Sequence, residues 1–194
     1  YFLKDQMDEL EINNLSEFRS RLEPFKEYAK PLSVKKKYEE IYNKFIIDTT
    51  WIGKSSYTFS LPDTLGKMVS MKDFKGKVIF IDVWATWCGP CREQMPFLKE
   101  IEEEYKDNTD IVFMGISIDR EQSKQKWLDY IKKEKLEGVQ LFDESGKSFA
   151  RDHEINTIPR FLLIDKQGKW FEVRCPSPSD KANLKKYLAE AIAG

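Results

Sequence analysis

Cysteine and histidine are both scarce in this 194-residue chain, with three of the first and one of the second. Structural zinc sites are usually built from two closely spaced ligand pairs, and only one such pair is present. Cys88, Cys91, Cys175 and His153 would make up a four-ligand set only if the fold gathered them. Neither sign of charge is in excess, with 32 basic and 33 acidic residues, so nothing marks a nucleic-acid footprint or a strongly acidic partner. No apolar run approaches the roughly 18 residues that suggest a membrane span, and no signal-peptide pattern is present. That absence says nothing of the compartment. Glycine is missing from residues 1–47, and no internal repeat or low-complexity tract occurs.

What is present centres on residues 77–105, KVIFIDVWATWCGPCREQMPFLKEIEEEY. Val78, Ile79, Phe80, Ile81, Val83 and Trp84 form a short apolar run after Gly76. Such a run predicts a strand buried on both faces, in the middle of an α/β sheet. Met95, Leu98, Ile101 and Tyr105 then recur at helical spacing with charges between them. Cys88-Gly89-Pro90-Cys91 falls at the junction, so both cysteines lie where a strand hands over to a helix.

Two cysteines on the first turn of a helix project to one side and can close a small disulfide ring. The first N–H groups of a helix lack intrahelical partners, and with the dipole they favour negative charge. A thiolate at Cys88 would gain from both. Thiolate is the form that attacks a disulfide, and a free cysteine titrating near ~8.5 supplies little of it at neutral pH. Pro90 suits the first turn, where its missing N–H costs nothing. Cys88 is therefore expected to attack as the more exposed sulfur, and Cys91 to resolve the mixed disulfide. The plainer readings are a structural disulfide or half of a zinc site.

The segment FIDVWATWCGPC resembles the active-site segment of the thioredoxin superfamily, and WCGPC is far more specific than an isolated CxxC. Pro96, five residues past Cys91, matches the family's kinking proline. Thr157-Ile158-Pro159, before the apolar run 161–164, matches the loop that carries its cis-proline. Asp82, six residues before Cys88, matches the buried acid that assists proton transfer at the second thiol. The resemblance covers about residues 52–194 and is closest to the extracytoplasmic TlpA/ResA-like oxidoreductases. It implies a thioredoxin-like α/β fold with an N-terminal β-hairpin, an inserted βα unit and an N-terminal helical extension. That branch tends to carry a glutamate three residues after the second cysteine. Gln94 stands there instead, and it can hydrogen-bond but not titrate, which shifts the acid's role towards Asp82.

Residues 1–50 form a helical N-terminal segment on this reading, and residues 51–194 the thioredoxin-like domain. Leu10, Leu15, Phe18, Leu22 and Phe25 predict a helix over 5–29. Ser33 is an N-cap for a second over 33–46, carrying Tyr38, Ile41, Tyr42 and Phe45. These helices either pack on the body or on each other, or are the stub of a larger N-terminal region that serves dimerisation. Tyr57, Phe59 and Leu61, then Asp63 to Lys67, then Val69 predict a hairpin. Further strands are expected at 111–118, 139–142, 161–164 and 170–173, with helices at 122–133, 148–154 and 180–193. Pro159 follows Cys91 by 68 positions, more than a minimal thioredoxin needs, and the surplus is assigned to a βα unit over 120–145.

Asp82 interrupts an apolar strand, which is expensive for a carboxylate unless it stays protonated or finds a partner. The other reading is an outward-facing strand-end charge. Cys175 should return to the sheet edge of the cis-proline loop, where it would be either a third redox participant or a simple loop cysteine. His153 is expected at the surface or in a helix cap. Trp87, Gly89, Pro90, Thr157, Ile158 and the Pro159 backbone should flank Cys88 and pair with an extended substrate.

The leading expectation is an enzyme that reduces protein disulfides through a Cys88/Cys91 dithiol, with no cofactor and no metal. The resemblance implies a cell-envelope or periplasmic location and a membrane-embedded or thioredoxin-like electron donor. Two other readings are a thiol peroxidase, which WCGPC argues against, and a binding or assembly module that uses the fold as a scaffold. The direction of electron flow depends on a potential that spans about −270 to −120 mV within the superfamily.

Overall fold

The computed structural model describes residues 51–56, 59–144 and 148–194. Nearly all of them belong to one compact unit, Gly53–Gly194. The helices expected over 5–29 and 33–46, and the domain division at residue 50, lie outside the described residues.

A two-stranded antiparallel hairpin comes first, β1 (Ser60–Pro62) against β2 (Met68–Ser70), with Leu61 opposite Val69. Its turn is closed by the Asp63 carboxylate, which accepts the N–H groups of Leu65 and Lys67. Gly66 takes the positive φ of +80° that the turn requires. The expected hairpin is present, with its first strand beginning just after Phe59, and Tyr57 lies outside the described residues.

The central sheet has five strands in the order β5-β4-β3-β6-β7. They are β3 (Val78–Trp84), β4 (Ile111–Ser117), β5 (Val139–Phe142), β6 (Arg160–Ile164) and β7 (Trp170–Glu172). β3, β4 and β5 run parallel, while β6 pairs antiparallel with β3 and β7 antiparallel with β6. β3 lies in the middle, and all seven of its residues are buried. Burial of each large apolar side chain contributes about 1.5–3 kcal/mol, so the six apolar residues of β3 readily offset one awkward polar neighbour, Asp82.

Among the described residues four α-helices accompany the sheet: α1 (Gly89–Glu104), α2 (Lys124–Glu134), α3 (Ser148–Asp152) and α4 (Lys181–Ala193). Val78 and Phe80 of β3 pack with Ile101 of α1 and with Leu184, Leu188 and Ala191 of α4. Trp84, at the carboxyl end of β3, packs with Cys88, Cys91 and Met95, with Trp127 of α2 and with Phe142 of β5. The redox pair is thus built into the second cluster.

The unit expected over 120–145 is present as a short 3₁₀ turn (Glu121–Ser123), α2 and β5. α2 starts two residues later than its apolar spacing suggested, because the 3₁₀ turn takes up the approach and Ser123 makes no side-chain cap. It ends on Lys135 in the left-handed region, at φ 51°. α3 closes at Asp152, before Glu154 with φ 53°.

Candidate active site

Cys88 is the N-cap of α1, with Gly89 and Pro90 opening the first turn. The strand of apolar residues ends at Trp84, and the chain crosses Ala85-Thr86-Trp87 before the helix begins. Cys88 and Cys91 are joined as a disulfide, with their Cα atoms 5.3 Å apart, inside the range such bridges occupy. The Cys91 N–H donates to Cys88 Sγ at 3.1 Å. The same donor, together with the helix N-terminus, is placed to stabilise negative charge on Cys88 once the bridge opens. Cys88 is 4% exposed and Cys91 1%. The expected ranking holds, although both sulfurs are recessed.

Exposed groups surround this recess. Trp87 is 61% exposed, and Pro90 is open to solvent. On the opposing loop, Thr157 is exposed and Ile158 packs against the cluster that holds the cysteines. The Ile158–Pro159 bond is cis, as the resemblance implied. Ile158 is thereby brought to the pair of sulfurs, and Trp87, Gly89 and Pro90 adjoin Cys88 along the chain. Phe97 on α1 is 41% exposed, and helical spacing alone did not single it out.

The approach loop is held by a buried carboxylate that the sequence reading missed. Asp119 is fully buried. It accepts the Thr86 N–H at 2.8 Å, the Thr86 hydroxyl at 2.8 Å and the Ser117 hydroxyl at 2.9 Å. It therefore ties the carboxyl end of β4 to the residue two positions before Cys88. An acid at the carboxyl end of a parallel strand beside the central one was the available signal.

Asp82 faces inward and is 4% exposed, so the strand-end reading does not hold. Its Oδ1 is buried and has no hydrogen-bond partner among the described residues. Desolvation, reinforced by the nearby Glu102 carboxylate, pushes the Asp82 carboxyl from an ordinary value of 3.8 up to about 8. Asp82 is in this way a neutral acid at pH 7 that can release a proton under mild conditions.

Gln94 serves a different purpose. Its side-chain oxygen accepts the Ser179 N–H at 3.0 Å, linking α1 to the segment before α4.

Two expectations need correction. Cys175 does return to the expected edge, where its N–H donates to the Phe161 carbonyl at 3.0 Å. Its side chain, however, packs with Phe80, Phe161 and Leu184, in a cluster that excludes Cys88 and Cys91. Burial, with Glu172 adding to it, raises its thiol well above the ordinary value, which suppresses thiolate. His153 is half-buried rather than at the surface, and it holds the cap position just after α3, where its N–H donates to the Phe149 carbonyl at 3.1 Å. It stacks 4.2 Å from Phe149 and lies 5.2 Å from Trp170, and burial lowers its pKa. The four-ligand zinc set is accordingly dispersed: two members are bonded to each other and Cys175 sits in another cluster.

Comparison with known proteins agrees with this geometry. Residues 52–188 match the Redoxin family. The chain is 31% identical over 137 residues to the thiol-disulfide oxidoreductase ResA of Bacillus thuringiensis subsp. konkukian, covering 71% of this chain and 76% of that protein. A thiol-disulfide oxidoreductase structure from Bacteroides fragilis superposes with a TM-score of 0.61 at 31% identity, covering 69% of this chain and 98% of that one. The thioredoxin domain of a thiol-disulfide oxidoreductase from Bacteroides vulgatus shares the fold with a TM-score of 0.62 at 24% identity, covering 73% and 97%. The chain belongs to the Redoxin family, among the thiol-disulfide oxidoreductases.

Proposed function

We propose that this enzyme reduces protein disulfides, with Cys88 as the attacking sulfur and Cys91 as the resolving one. The observation that carries the reading is the Cys88–Cys91 bridge at the start of α1, with the Cys91 N–H directed at Cys88 Sγ. In the reduced protein the Cys88 thiolate attacks one sulfur of the substrate disulfide and expels the other as a thiolate. The mixed disulfide is then attacked by Cys91, which re-forms the Cys88–Cys91 bond and releases the second substrate sulfur. Two electrons pass from the dithiol to the substrate, and two protons follow them. Asp82, once it has released its own proton, accepts the one that Cys91 loses, and it returns a proton to Cys91 when the bridge is reopened.

Trp87, Gly89, Pro90, Thr157 and Ile158 line the approach, and the cis Ile158–Pro159 segment offers main-chain groups to an extended peptide. The TlpA/ResA-like resemblance favours an extracytoplasmic enzyme in a periplasm or cell envelope, re-reduced by a membrane-embedded or thioredoxin-like donor. Dimerisation through residues 1–50 belongs to the same proposal. Turbidity from insulin reduction by dithiothreitol tests the activity. The intact protein is expected to accelerate it and Cys88→Ser to abolish the acceleration. Full acceleration by Cys88→Ser, or no acceleration by either protein, would turn the assignment towards a scaffold or assembly module.

A further inference from the structure

Asp82, Gly115 and Gln140 form one row across β3, β4 and β5, because Asp82 pairs with Gly115 and Gly115 with Gln140. The missing side chain at Gly115 leaves room that the Gln140 side chain takes up. A Cβ there would come 2.4 Å from Gln140 Oε1. Residues 82, 115 and 140 line a small cavity, together with Lys99 and Glu102 of α1 and with Trp84, Met95 and Leu136. The space open to the centre of a water molecule is about 20 Å³, enough to hold one. Two acceptors on its wall, Asp82 Oδ1 and Gln140 Oε1, are buried without a donor among the described residues. Buried polar oxygens are rarely left so, and one water can donate to both. Glu102, half-buried on α1, connects this wall with the outside, and a Cβ on Gly138 would stand 3.4 Å from its Oε1.

We propose that Glu102 is a positioning residue that passes protons between Asp82 and solvent through this cavity. The inference rests on the reading of Asp82 as the proton partner of Cys91. When a reductant's thiolate attacks Cys88 Sγ, a reductant–Cys88 bond forms and the Cys88–Cys91 bond breaks. Cys91 leaves as a thiolate and takes the Asp82 proton. Glu102 then returns a proton from solvent to Asp82 by way of the cavity. In the resolving direction the proton travels outwards.

Several charged or titratable groups face this path. Lys99 and Glu102 come from α1, and Glu137 from the loop before β5. The Lys99 ammonium donates to the Glu134 carbonyl at the end of α2. The Tyr130 hydroxyl of α2 donates to Met95 Sδ at 3.5 Å. Burial and Glu137 push Glu102 up to about 7 against the pull of Lys99, so its proton exchanges readily near neutrality.

The test is the rate at which dithiothreitol opens the disulfide between pH 6 and pH 10, corrected for dithiothreitol thiolate, in the wild type, Asp82→Asn, Glu102→Gln and Glu102→Asp. Glu102→Gln is expected to slow the opening about tenfold, below the full effect of losing a direct proton partner. It should also move the pH midpoint downward, because a negative charge beside Asp82 is removed. Glu102→Asp should restore most of the rate. A Glu102→Gln protein matching wild type in rate and midpoint, while Asp82→Asn is slow, overturns the relay and leaves the Asp82 reading intact. An Asp82→Asn protein as fast as wild type overturns both. Should Glu102→Gln not fold, Gly115→Ala replaces it, forcing the Gln140 side chain from its place on the cavity wall while keeping both carboxylates. A rate unchanged in that variant overturns the relay.

Discussion

Asp82 stands beside Gly115 in parallel register on adjacent strands, and both line the same small cavity. This pairing lets an acid persist inside an otherwise apolar strand, where it stays neutral until the pH approaches 8.

The first prediction concerns stability against pH. Folding raises the Asp82 pKa from 3.8 to about 8, so between those values the folded protein holds a proton that the unfolded chain has lost. Stability is highest below pH 3.8 as far as this group is concerned. It declines as the pH rises towards 8, by at most about 1.4 kcal/mol per pH unit. Asp82→Asn removes that slope. Urea denaturation of the oxidised protein at pH 5, 7 and 9 should show the variant gaining on wild type at each step. Parallel curves for the two proteins would mean that Asp82 is solvated.

The Asp119 clamp yields a second. Asp119→Ala leaves the Thr86 N–H and two hydroxyls without their buried acceptor, at a cost of about 3 kcal/mol. Thr86 is two residues from Cys88, so catalysis should fall further than the folded fraction does. Insulin reduction normalised to folded protein checks this. A loss of stability with unaltered normalised activity would confine Asp119 to a structural role.

Gly138 supplies a third. Its φ is +68°, and a Cβ would approach the Phe113 carbonyl oxygen to 2.7 Å. Backbone cannot move aside as a flexible side chain can. Gly138→Ala should therefore cost about 2 kcal/mol, read as a lower urea midpoint with an unchanged slope. Gly89→Ala, in contrast, meets nothing within 4 Å and should leave stability almost unaltered.

These residues differ in how far the chain alone announced them. The central strand was legible to the residue, because six apolar side chains in seven positions have few other interpretations. The redox pair and the cis-proline were legible as short local motifs. The Asp82–Gly115–Gln140 row was not, since it depends on the register of three strands separated by two crossover helices. Glu102 read as one more charge on an amphipathic helix, and only the fold gives it a cavity to border. Cys175 was placed at the correct edge, but the direction of its side chain depends on how α4 packs.

The account depends most on Cys88 being the sulfur that captures substrate. Cys91→Ser removes the resolving thiol, so a captured peptide should remain attached. The protein carrying that change, incubated with a disulfide-linked peptide and mapped by mass spectrometry without reduction, should hold the peptide on Cys88 alone. Capture on Cys175, or no capture at all, would contradict the account.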